Sequence, residues 1–185
     1  MSLTKKKPSL PIKPKKITTS RFVLRPICIK DASKKYLNWL SDKDTKKYIQ
    51  AAKNTKSIND LRYYLKNFIK KKDCIFLKIE TKTGRKHIGN IKCHPILLKQ
   101  KAAIIGILVG DLSWRGLGVA KEVIHSTSSW LKKNLEIQYL YLGVKKENKR
   151  ALKAYYNSGF RYAKKFPQGR KTTSTCKIMR LKIIK

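Results

Sequence analysis

Residues 104–120 read Ile104-Ile-Gly-Ile-Leu-Val-Gly110-Asp-Leu-Ser-Trp-Arg115-Gly-Leu-Gly-Val-Ala120. The apolar run over 104–110 reads as a buried strand. Residues 121–133 read as a helix with Val123, Ile124, Trp130 and Leu131 on one side. A strand, a glycine-bearing turn and a helix start together make an anion site. The first amides of a helix lack partners within it, and the helix dipole adds positive potential there. Gly116 and Gly118 let backbone approach an anion closely, and Arg115 adds a charge with forked donors. A pyrophosphate is the expected guest. The turn fits neither of two common phosphate motifs. The third glycine of a dinucleotide fingerprint is missing, and no Gly-Lys-Ser/Thr closes it as in a P-loop.

The elements on either side place that turn in a mixed sheet. Residues 21–26 alternate as a first strand, and Asp31 is expected to cap a helix ending at Leu40. Residues 46–52 read as a short helical turn. Ser57-Ile-Asn-Asp60 resembles a capping box, followed by Ile58, Leu61, Leu65 and Phe68 at helical spacing. Residues 74–80 and 88–94 form a hairpin around Gly84, with the second strand ended by Pro95. After the central strand, turn and helix come a strand over 137–144 and a helix over 148–158 that stops at Gly159. Strands over 160–166 and 175–184 close the chain. The expected fold class is α+β. A mixed, mostly antiparallel central sheet of about seven strands is flanked by helices, with one parallel crossover at the glycine turn.

The length of 185 residues suits one domain over 20–185, preceded by a mobile basic tail over 1–19 with six lysines and three prolines. No apolar run is long enough to span a membrane, and no signal-peptide core opens the chain, so a cytoplasmic protein is expected. Cys28, Cys74, Cys93 and Cys176 lie far apart, which suits reduced thiols and no metal site. The 46 Lys and Arg against 10 Asp and Glu give a formal charge of +36. Either this surface binds nucleic acid, or lysine richness is a compositional bias of the source. The lysines form no arginine-rich stripe, and nonspecific, salt-sensitive nucleic-acid binding is expected in both cases.

Arg115-x-x-Gly118-x-Ala120 resembles the Arg/Gln-x-x-Gly-x-Gly/Ala loop of the GNAT superfamily of acyl-CoA N-acyltransferases. Asn148-Lys-Arg-Ala151, Tyr155 and Gly159-Phe160 resemble that family's second coenzyme segment. The opening Arg21-Phe-Val-Leu-Arg-Pro26, Asp31 and Tyr36-Leu-Asn-Trp-Leu40 resembles its ribosomal-protein and amino-sugar acetylating branches, and Ile88-Gly89-Asn90-Ile91 fits the hairpin. The resemblance implies an acetyl-CoA-dependent N-acetyltransferase. It gives pyrophosphate binding to Arg115, Gly116, Leu117, Gly118, Val119 and Ala120. It gives the pantetheine arm to the backbone of Leu108 and Val109 and to Asn148, with Ala151 small enough for close approach.

Tyr155 is the candidate general acid, because a phenol can protonate the departing thiolate while staying neutral at pH 7. The base is less clear. His94 titrates in a suitable range. Glu80 and Asp111 are the only acids near the central strands, and Asp111 suits a loop cap. A water chain is the alternative. Charge favours an anionic acceptor such as a nucleotide-linked amino sugar, or a protein N-terminal amine presented on the ribosome, over a polycation. The resemblance implies that residues 36–52, with Trp39 and Tyr48, line the acceptor side. A different class of function is a nucleic-acid- or ribosome-binding protein on the same fold with little or no turnover. A monomer or homodimer without membrane attachment is expected.

Overall fold

Apolar alternation builds eight strands in the computed structural model, which describes residues 12–167, 169 and 173–184. The strands are β1 (Ile17–Thr18), β2 (Phe22–Pro26), β3 (Ile75–Thr81), β4 (His87–Leu97), β5 (Ala102–Val109), β6 (Tyr139–Lys145), β7 (Arg161–Ala163) and β8 (Cys176–Lys182). They form one sheet in the order β1-β2-β3-β4-β5-β6-β8-β7. Among the described residues β5–β6 is its one parallel pair. The expected mixed sheet therefore has eight strands, the extra one being β1.

The two faces carry separate cores. The helices α5 (Val119–Leu135) and α6 (Lys149–Asn157) cover one face. There Val123, Ile124 and Leu131 pack on Ile79, Ile91, Ala103 and Leu140. The helices α1 (Lys34–Ser41), α2 (Lys43–Tyr48), α3 (Gln50–Lys53) and α4 (Ile58–Ile69) sit on the other, with Tyr36, Trp39, Leu61 and Leu65 over Cys74 and Phe76. Spacing of Leu61 and Leu65 by one turn gives α4 its buried stripe. Its start is the expected capping box: the Ser57 hydroxyl accepts from Asp60 N, and the Asp60 carboxylate accepts from Ser57 N.

Three expectations need correction. Helix α1 is capped by Ser33, whose hydroxyl accepts from Tyr36 N. Asp31 instead closes a tight turn by accepting from Cys28 N, and pairs with Lys78 Nζ at 2.9 Å. Burial opposes its ionisation, but the Cys28 amide and the Lys78 ammonium hold its carboxyl below the ordinary value. Strand β4 does not end at Pro95. It shifts register between Cys93 and Ile96 and resumes against Ala103 and Ala102. Proline has no N–H to donate, so it sits where the ladder is already interrupted. Finally, the folded unit begins before residue 20. Ile17 pairs with Leu24 and is buried, Pro14 is buried, and the Lys13 ammonium donates to the Ile69 carbonyl at the end of α4. The rest of the expected tail, residues 1–11, lies outside the described residues.

Strands β4 and β5 approach closely at Gly89, which pairs with Val109. A Cβ at Gly89 would overlap the Leu108 carbonyl oxygen, a backbone atom that cannot step aside. Gly89→Ala is expected to cost about 2 kcal/mol, or roughly 5 °C in Tm. Thermal melting followed by circular dichroism checks this; an unchanged midpoint would mean the strands are not held at this spacing.

Candidate active site

The parallel pairing of β5 and β6 is short. Ala102, Ala103 and Ile104 pair with Tyr139, Leu140 and Tyr141, and no further pair follows. From Gly106 to Val109, β5 pairs only with β4, while residues 142–145 of β6 pair only with β8. The sheet therefore opens into a gap at the carboxyl ends of two parallel strands. Each of these strands leads into a helix, so the N-termini of α5 and α6 come after the gap on the same side. Crevices beyond strand carboxyl ends are where open sheets take ligands.

The glycine turn closes this mouth. Gly116 and Gly118 hold φ of 83° and 74°, a region that costs other residues strain. Gly118 is the N-cap of α5 and offers no side-chain cap. Among the described residues, no acceptor meets the amides of residues 116–121; the next one, Glu122 N, bonds to Gly118 O at 3.2 Å. Six unspent donors around one turn fit an anion with several oxygens, as the sequence implies. The acid of the first helical turn is already committed. Glu122 accepts from Thr19 Oγ1, Arg21 N and Arg21 Nε at 2.6–2.7 Å. Burial opposes its ionisation, but these donors hold the carboxyl below its ordinary value. Arg21 Nη2 would lie 3.7 Å from a Cβ at Gly118, so Arg21 stands beside the turn. Sequence reasoning gave Arg21 no role here, because only the fold brings it next to a residue almost a hundred positions away.

Arg115 is braced as well as charged. Its Nε donates to the Val109 carbonyl at 2.9 Å, and Nη2 reaches Thr45 Oγ1 at 3.4 Å and Asp42 Oδ2 at 3.8 Å. The hydrogen bond from Thr45 N is the main reason the Asp42 carboxyl lies below its ordinary value, with the Arg115 charge adding to it. So the guanidinium ties the turn to the start of α2 and leaves fewer donors for an anion than the sequence suggests. It also occupies the Val109 carbonyl, one of the backbone groups expected to face a pantetheine arm. Arg115→Ala is expected to lower Tm by a few degrees and to weaken coenzyme affinity roughly tenfold, since a half-buried charge-assisted contact and a positive charge are both lost. Melting and calorimetric titration of one preparation separate the two effects.

Helix α6 starts at Asn148, whose side-chain oxygen caps it by accepting from Ala151 N at 3.1 Å. The amide expected to reach a ligand is thus partly spent on the helix, and Ala151 packs on the core. One turn on, Tyr155 packs on the same core with its ring 5.8 Å from Phe160. Its hydroxyl has no protein partner among the described residues, and burial pushes the phenol up to about 12. Tyr156 is exposed beneath the Arg161 guanidinium, as the helical rotation requires.

His94 is placed apart from the turn. It lies on β4 against Phe68, with Nδ1 3.4 Å from Asp73 Oδ2 and Nε2 3.4 Å from Lys71 Nζ. Burial lowers its pKa against the pull of Asp73, so the ring is neutral at pH 7. Glu80 is paired with Arg25 and Lys78. Asp111 accepts from Ser113 and pairs with Lys35, the loop-capping role expected of it. Trp39 is packed against His87 and over Gly110, and its edge still lines a groove of about 660 Å³ with Lys35, Asp42, Leu112 and Arg115. A second groove of about 440 Å³, lined by Tyr141, Tyr162, Lys164, Phe166 and Arg180, begins beside Tyr141, where β5 and β6 part. Among the described residues, no helix is long and apolar enough to cross a membrane.

Comparison with known proteins bears on the family and the fold. The family profile of the GNAT acetyltransferase domain matches residues 21–161. No curated protein sequence matches the chain. An acetyltransferase of Bacillus anthracis superposes with a TM-score of 0.73 at 18% identity, covering 90% of this chain and 98% of that one. A ribosomal L7/L12 α-N-protein acetyltransferase in complex with coenzyme A gives 0.76 at 13%, covering 91% and 98%. The spermidine N-acetyltransferase of Vibrio cholerae, in complex with CoA and spermine, gives 0.72 at 18%, covering 89% and 96%.

Proposed function

We propose that this chain, which belongs to the GNAT acetyltransferase family, transfers the acetyl group of acetyl-CoA to a primary amine. The observation that carries this reading is the open β5–β6 gap with six unspent amides at its mouth. The bound coenzyme would supply an activated acyl carbon on a thiol leaving group. The amides of residues 116–121 would take the pyrophosphate, with Arg115 and Arg21 adding positive potential. The free edge of β5 at Leu108 and Val109 would hold the pantetheine arm as an added strand, mostly through groups other than the Val109 carbonyl. Tyr155 would deliver its proton to sulfur.

Both nitrogens of His94 already face neighbours, so the amine's proton would leave by water through the open side of the gap. The favoured acceptors are a nucleotide-linked amino sugar or a protein N-terminal amine. The groove beside Tyr141 supports the first, with aromatic rings for a flat group and Lys164 and Arg180 for phosphate. Titration calorimetry with acetyl-CoA in moderate salt tests the reading, followed by thiol release with nucleotide amino sugars, peptides and polyamines. Saturable binding with turnover of one amine class supports it. No binding at millimolar coenzyme, or tight RNA binding without thiol release from any amine, overturns it.

A further inference from the structure

Helices cover only part of one sheet face. Along β6, Leu140, Leu142 and Val144 belong to the core under α5 and α6. Strand alternation turns Tyr139, Tyr141 and Gly143 to the opposite face. There α1–α4 pack over β3 and β5, and among the described residues their core includes none from β6, β7 or β8. Directly opposite residues share a face, so Lys182 stands beside Tyr139 and Arg180 beside Tyr141. Both cations are exposed, and the Arg180 guanidinium lies 5.2 Å from the centre of the Tyr139 ring. Phe166 folds over Gly143, where a Cβ would lie 3.6 Å from its ring, and tilts against Tyr141 at 6.3 Å. Tyr141 and Phe166 line the groove of about 440 Å³ together with Tyr162, Lys164, Lys165 and Arg180.

We propose that this uncovered β6–β8 face binds a single strand of nucleic acid, with bases stacked on its rings and phosphates on its cations. The proposal goes beyond the acetyltransferase reading, because it requires neither coenzyme nor amine. Charge selects a polyanion. Of the chain's 10 acids only Glu147 falls in residues 137–185, and Glu147 is taken by Lys47 and Lys145. Among the described residues no carboxylate pairs with Lys164, Lys165, Arg180 or Lys182. Arg161 stands directly opposite Arg180, a like-charge pair that weakens a sheet and that a phosphate between them would relieve.

The rings select which polyanion. Unpaired bases present flat faces that stack on aromatic side chains, whereas a duplex keeps its bases stacked inside and an acidic peptide has no such faces to offer. Tyr139 and Tyr141 are two residues apart on one strand, about 7 Å along it, so one extended chain reaches both. Tyr162, on the edge strand β7, is exposed and continues the row of rings past the groove. Net positive charge by itself draws in any polyanion, so salt sensitivity is no sign of this site. Dependence on the rings is.

The test is fluorescence anisotropy of the full chain with a labelled oligouridylate over a salt series, with an RNA duplex of the same length, heparin and free UDP as comparisons. The single strand is expected to bind at least about fivefold tighter than the duplex. Tyr141→Leu should weaken strand binding roughly tenfold at an unchanged salt slope and leave heparin binding as it was. Tyr162→Leu, at an exposed position, should act in the same direction and serves if the first variant does not fold. Arg180→Gln with Lys164→Gln should lower the slope of log K against log salt by about 1.4, while Lys70→Gln with Lys72→Gln, exposed beyond α4, should leave it unchanged. UDP should displace the strand only at concentrations at least about a hundredfold above the strand's own Kd. Equal effects of the two cation pairs, affinity indifferent to both rings, or a duplex bound as tightly as the strand would overturn the inference. So would UDP binding as tightly as the strand, which would make the groove a site for a free nucleotide. Coenzyme calorimetry decides the acetyltransferase reading separately from all of these.

Discussion

Gly118→Asp is expected to abolish acetyl-CoA binding, with at least a hundredfold loss of affinity, while leaving the fold intact. Two effects act on binding in the same direction. A carboxylate at the helix N-terminus accepts the amides that would otherwise meet the pyrophosphate, and it repels the anion that remains. On stability the effects oppose each other. The left-handed φ of 74° at Gly118 costs a side-chain-bearing residue about 1–2 kcal/mol, less for Asp than for most. Against this, an aspartate can satisfy unpaired helix amides and interacts favourably with the dipole, each worth about 1 kcal/mol. A Cβ there meets only the flexible end of Arg21, at 3.7 Å. Calorimetric titration and thermal melting should therefore separate: binding lost, midpoint moved by only a few degrees. Retained affinity would mean that the anion does not sit on this turn.

The parts of the fold that the sequence discloses are local ones. Ser57 and Asp60 are three residues apart, so their reciprocal cap is readable in the string. The same holds for Asn148 at the start of α6, Gly159 after its end, and the left-handed glycines of the turn. The gap between β5 and β6 is not readable, because both strands are apolar along their length and nothing in either marks where pairing stops. Arg115 looks like an anion ligand in isolation. Its brace to Asp42 and Thr45 depends on α2, some seventy residues earlier. A separation of 101 residues hides the Arg21–Glu122 pair that ties the start of β2 to α5. His94 has the right chemistry and the right strand, but Asp73 and Lys71 reach it only once α4 and β3 are in place. The charge of +36 tells less than its placement. At the mouth Arg21 and Arg115 are already paired with Glu122 and Asp42, so these two cations add less net field at the turn than the composition implies.

Tyr155→Phe is expected to reduce turnover about a hundredfold with any amine the wild type acetylates, at unchanged coenzyme affinity. The ring keeps its contact with Phe160 and the core, and the hydroxyl gives up no protein partner, so stability should move by less than about 0.5 kcal/mol. Loss of kcat without loss of binding is the sign of a group used at the transition state. The pH dependence sharpens the test. Burial pushes the phenol up to about 12, which favours its protonated form, so the acid stays competent through pH 9. The wild-type to mutant ratio of kcat should therefore be flat from pH 6 to 9. If the ratio falls across that range, a group titrating there is the acid, and if it stays near one, the thiolate is protonated by water. Tyr156→Phe is the control on the same helix. Its ring is exposed and lies under Arg161, and its removal of a hydroxyl should leave kcat unchanged. Equal losses in both variants would point to a disturbed α6 and away from proton delivery by Tyr155.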